Sequence, residues 1–268
     1  MRSIPGKWSV STLLKKDKPC GFEAAFAAWN RQALRPHVLL DASTNGTMRT
    51  RFGGASLGKA PLDASGRPMR MLCAVDFSEL PMLPDFPQTG LLRIYVKDDA
   101  LFGMDYDEPT AQTGFRVLYD ADGSGLMPQE EPGESDYFPI PLCCSCRAAT
   151  LEQQPIPYGN YRFDEPFSAL LRRHGVADID GETECRLTHA RELQLPAIGG
   201  YAWFTQDDPR TFEKKWQRYD TLLLQIPYRD EPDARFRIGD GGVINFLIPH
   251  EKLKKRDFSD VLFWWDCY

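Results

Sequence analysis

The chain has 268 residues, 42% of them hydrophobic and 26% charged, with a net charge of −6 and a pI near 5.3. A chain of this length buries roughly three quarters of its unfolded surface, so a core needs neither metal nor disulfides. The acidic balance, with Lys and Arg scattered apart from Lys252-Leu253-Lys254-Lys255-Arg256, argues against a surface that tracks nucleic-acid phosphates.

The first twenty residues carry Lys15, Lys16 and Lys18 but no apolar signal-peptide core. No stretch reaches the ~20 apolar residues that cross a bilayer. Seven cysteines at irregular spacing fit a reducing compartment. Together these predict a cytoplasmic protein with no membrane partner. Phe22 to Leu34 reads as a helix, with Phe22, Phe26, Trp29 and Ala33 on one stripe, Gly21 as N-cap and Pro36 as the stop. Strands follow at His37 to Asp41, Arg70 to Phe77, Gly90 to Lys97 and Phe115 to Tyr119, with a Pro-rich loop from Pro81 to Pro87. Asp120 to Asn160 is rich in Gly, Pro and acids and reads as an irregular excursion. Phe163 to His174 reads as a helix opened by Asp164 and closed by Gly175. Strands return at Thr221 to Ile226, Val243 to Ile248 and Val261 to Trp265.

The order of elements repeats. Phe52-Gly53-Gly54 precedes three strands ending at Asp120, and Ile198-Gly199-Gly200 precedes three ending at Asp266. Two repeats are too few for a solenoid. The reading is a single sheet-rich α+β domain over 1–268. It holds two related antiparallel-sheet halves, 37–120 and 190–268, packed face to face and joined by an irregular and helical connector, 121–189.

The last third carries the most specific pattern. It runs Gly199-Gly200-Tyr201, Phe204-Thr205-Gln206-Asp207-Asp208-Pro209-Arg210, Leu222-Leu223-Leu224-Gln225-Ile226, Gly239-Asp240, and Asp257-Phe258-Ser259-Asp260-Val261 leading to Trp265-Asp266-Cys267. This pattern resembles the YwqG-like family, a bacterial group without established activity, over about Arg51 to Tyr268. The resemblance implies a duplicated, sheet-rich α+β fold. Because some members lie near toxin genes, it also implies an immunity or antagonist role. Two departures stand out: Gly53-Gly54 is followed by Ala55-Ser56-Leu57-Gly58 where the family carries prolines, and Ile238 replaces a Trp.

Gln206-Asp207-Asp208-Pro209-Arg210 is the densest polar motif. Asp207 and Asp208 suit acid–base chemistry or metal ligation, with Arg210 holding one ionised. The same letters suit a turn in which Asp208 caps a helix with Pro209 at its first position, and the helix-compatible run Thr211 to Trp216 favours the cap. Gly239-Asp240-Gly241-Gly242 lacks the Lys of a phosphate loop and reads as a turn into a strand. Gln206, Asp207, Asp208, Arg210 and Asp240 form the candidate ligand-binding set. Asp120, Asp122, Ser124 and Glu131 match the oxygen spacing of a calcium loop, but lack its flanking helices; a solvated turn is the competing reading. Cys143-Cys144-Ser145-Cys146 with Cys185 and His189 gives a loose zinc spacing, against which stands a set of small core thiols. Trp264 and Trp265 face opposite ways in a strand, one for the core and one for a partner surface.

No catalytic signature emerges. The expectation is a binding protein with a protein partner, basic in character and a toxin if the resemblance extends that far. The alternative is an enzyme or small-ligand binder with its site in the cleft between the halves. No cofactor is expected, calcium being the exception to test.

Overall fold

The computed structural model describes residues 21–183, Leu187 and residues 195–268. Cys185 and His189 of the zinc reading, and the Lys-rich start of the chain, lie outside the described residues. Helix α1, Gly21–Trp29, ends sooner than the Pro36 signal implies. The amides of Asn30, Arg31 and Gln32 tighten onto the last turn, and Ala33 takes a positive φ of 47°. Strand β1, Arg35–Ser43, then begins at the residue before Pro36, because proline drives its predecessor into the extended region. Helix α2, Asp164–Arg173, packs on α1. Trp29 meets Phe163 and Phe167 edge-on at 5.1 and 5.4 Å, and its indole donates to the Ile156 carbonyl at 3.0 Å.

The remaining strands are β2 (Arg51–Phe52), β3 (Arg70–Asp76), β4 (Leu91–Val96), β5 (Phe115–Asp120), β6 (Cys144–Gln154), β7 (Ala197–Gly199), β8 (Thr221–Pro227), β9 (Arg229–Glu231), β10 (Ala234–Phe236), β11 (Val243–Ile248) and β12 (Leu262–Asp266). Two short helices, α3 (Pro209–Phe212) and α4 (His250–Lys254), lie between the later strands. Ten strands form one sheet in the order β12-β11-β8-β7-β1-β6-β2-β3-β4-β5, and β9 and β10 pair separately. All neighbours in the large sheet are antiparallel. The α+β expectation holds. The connector expectation needs correction: the span 121–189 contains β6, an eleven-residue strand at the middle of the sheet.

Laid flat, nine strand spacings would separate β5 from β12 by about 43 Å. Instead Phe115 of β5 lies 5.2 Å from Phe263 of β12 and 5.9 Å from Phe246 of β11, ring centre to centre. The sheet therefore folds back on itself, and its two ends share one apolar core. Strands β4 and β11 are buried at every position, as expected where both faces are covered. The second faces of these strands are covered by smaller clusters, one around Leu57, Met71 and Tyr95, the other around Trp216, Tyr219 and Leu247.

The strand order reads alike from both ends. Each end has a short strand that runs into a glycine pair, Gly53-Gly54 after β2 with φ of 69° and 77°, and Gly199-Gly200 at the close of β7 with φ of 75° and 70°. These left-handed torsions require glycine, and at Gly200 a Cβ would also lie 2.2 Å from Gln154 Oε1. Among the described residues no helix is long and apolar enough to cross a membrane.

Candidate functional site

β12 presents Trp265 to the main core, where its ring meets Phe102 at a tilt, 4.9 Å between centres, and leaves Trp264 half-buried on the opposite face. Trp264 forms the floor of a cleft of ≈ 360 Å³. Its walls are Tyr106, Phe212 and Trp216, and its polar edge is Gln206, Asp207 and Asp266. Tyr106 meets Trp264 edge-on at 5.4 Å and Trp216 meets it at 5.8 Å. Phe212 is 67% exposed and Tyr106 47%, so much of this aromatic surface faces solvent.

Tyr106 comes from the loop between β4 and β5, at the other end of the sheet. That loop is fastened to β12: the Phe263 amide donates to the Pro109 carbonyl at 2.9 Å, and the Trp265 indole donates to the Leu101 carbonyl at 3.0 Å. The cleft thus lies where the two ends of the folded sheet meet.

The electrostatics of the cleft are acidic. Asp266 closes β12 and accepts the backbone amides of Thr205 at 3.2 Å and Gln206 at 2.9 Å. Burial pushes its carboxyl above the ordinary value, and the charge of Asp207 adds to this, while the two amides oppose it. Asp207 is exposed. The Lys215 ammonium lies 5.3 Å from the ring centre of Trp216, a cleft residue.

The sequence candidates divide. Gln206 and Asp207 line the cleft. Asp208 instead caps α3, accepting the Arg210 amide at 3.0 Å, with Pro209 at the first helical position. Arg210 forks onto both Asp208 oxygens at 2.8 and 2.7 Å and donates to the Tyr219 carbonyl at 2.9 Å. Their side chains are 0% and 3% exposed, and Asp208 also accepts the Tyr161 amide at 3.1 Å. This pair ties the connector to the last third of the chain. Asp240 sits apart, in the turn whose positive torsions belong to Gly239 and Gly241.

The calcium spacing does not assemble. Asp120 is ion-paired to Arg93, and Asp122 accepts the Ser124 hydroxyl at 2.7 Å as cap of the 3-10 turn Gly123–Gly125. The Glu131 carboxylate lies beside Gly54. Among the described residues no three His, Cys, Asp or Glu gather as a metal site. Cys144 and Cys146 are buried on the same face of β6, while Cys143 is exposed ahead of it. Burial raises the Cys144 thiol and pushes that of Cys146 up to about 12.

Trp264 could be anticipated from strand alternation. Tyr106 could not: it lies in a polar loop, and only the folding back of the sheet brings it to Trp264.

A family model described as "Domain of unknown function (DUF1963)" matches residues 50–267, a span that contains every residue of the cleft. No curated protein matches the chain. The chain belongs to the DUF1963 family.

Proposed function

We propose that this DUF1963 member is a protein-interaction module whose cleft receives a cationic side chain of a basic partner. The observation that carries this is the pairing of exposed aromatic rings with a carboxylate edge at one concave place. Exposed Tyr, Trp and Phe are the residues that anchor interfaces, because they bury large area with few rotors to freeze. Ring faces and carboxylates both attract cations. The resemblance to YwqG-like bacterial proteins extends the proposal to a cytoplasmic immunity or antagonist role, with a basic toxin as partner.

We also propose that residues 37–120 and 190–268 are duplicated halves. The like-ended strand order and the two left-handed glycine pairs support this. So does a matching polar contact: Arg93 in β4 donates to the carbonyl of Leu57, four residues after Gly53, and Asn245 in β11 donates to that of Trp203, four after Gly199, at 2.9 Å.

A second reading takes the occupant to be a small cationic ligand. The ≈ 360 Å³ volume, between the sheet ends, favours it and falls at the lower end of the ~300–1,000 Å³ of small-molecule sites. The test of docking is a Trp fluorescence titration with a synthetic alternating Lys-Arg octapeptide. Saturable binding is expected, weakened about tenfold by D207K, a change worth about 1.4 kcal/mol. No binding, or binding that D207K leaves unchanged, contradicts the proposal.

A further inference from the structure

The strand that carries Trp264 and Asp266 into the cleft has a register match at the other end of the sheet. In the register of the sheet, Arg93 lies between Ala74 of β3 and Leu118 of β5, and Asn245 lies between Gln225 of β8 and Trp264 of β12. Asp120 closes β5 opposite Leu91, and Asp266 closes β12 opposite Val243. Arg93, Leu118 and Asp120 therefore stand where Asn245, Trp264 and Asp266 stand at the other end.

At the first place a guanidinium is present. Arg93, 6% exposed, is ion-paired to Asp120, donates to the Leu57 carbonyl and lies 3.3 Å from the Tyr95 hydroxyl. Leu126 and the Arg93 Nη1 both approach the backbone at Gly58. At the second place Asn245 is too short to reach beyond the Trp203 carbonyl. Asp266, buried and accepting two backbone amides, lines the cleft beside Trp264 instead. The register position that holds an arginine at the first place holds Asn245 at the second, next to the cleft residue Trp264.

We infer that the cleft takes the guanidinium of an arginine, paired with Asp266 as Arg93 pairs with Asp120, and laid on Trp264. This rests on the docking reading above and narrows it. Guanidinium is planar, forks onto a carboxylate and stacks on an aromatic face; an ammonium is more tightly hydrated and does neither. Trp264 in place of Leu118 offers the ring face that such stacking uses.

The test is an indole N–H NMR titration of the intact protein with N-acetyl-arginine methylamide and, separately, its lysine counterpart. Saturable shifts of the Trp264 and Trp216 indoles are expected, with the arginine compound at least about fivefold tighter, about 1 kcal/mol. Equal affinity overturns the arginine assignment and leaves cationic docking standing. If neither compound moves these indoles while the octapeptide still binds, the arginine assignment falls and the peptide contact lies elsewhere. If neither compound nor peptide binds, both readings fall.

Discussion

Arg210 meets Asp208 where water does not reach, and removing either partner leaves a buried charge alone. Asp208→Ala or Arg210→Ala is expected to cost about 3–5 kcal/mol in urea unfolding. Arg210→Lys is expected to recover little, since the fork onto two oxygens is lost. Asp266 makes stability pH-dependent with a definite sign. Its folded carboxyl titrates above 3.8, so the folded state holds a proton that the unfolded state has released. Stability should fall as pH rises from about the ordinary carboxylate value through the raised one, and level off above it. Asp266→Asn should flatten that segment of the stability–pH curve; an unchanged slope assigns it to another group. Thiol labelling at pH 8 with peptide mapping should find Cys143 the most reactive of Cys73, Cys143, Cys144 and Cys146. Cys146, buried and pushed up to about 12, should label only on unfolding.

At the scale of elements, Gly66 and Gly200 separate two costs. Gly66 has a φ of 80° with nothing within 4 Å of an added Cβ, so Gly66→Ala meets backbone strain alone, about 1 kcal/mol. Gly200→Ala meets that strain and Gln154 Oε1, an atom held in place by the Tyr201 amide at 2.6 Å. About 3 kcal/mol is expected, read by chemical denaturation. Most strands were legible, because β3, β4, β8 and β11 are short apolar runs bounded by turn residues. β6 was not legible: apart from Leu151, Arg147 to Gln153 is polar or small, the stretch is largely exposed, and pairing with β1 rather than burial makes it a strand. The cap at Asp208 was legible because Asp-Pro and a helix-compatible run act locally. The cleft was not, since Tyr106 and Trp264 are joined only by the long-range wrap of the sheet.

The wrap is what makes one molecule of two sheet ends. Phe263 stacks on Phe246 at 4.7 Å and meets Phe115 at 5.2 Å, so Phe263→Ala opens the shared core. About 3–5 kcal/mol is expected, with calorimetry still giving one transition because the ends do not fold apart. Two separate transitions would show the ends to be independent. The same wrap carries Tyr106 over Trp264 and so builds the cleft, which a crystal structure of the protein soaked with methylguanidinium chloride tests most directly. A planar ion is expected against the Asp266 carboxylate, parallel to the Trp264 ring. A cleft holding only water, with the ion bound elsewhere, would contradict it.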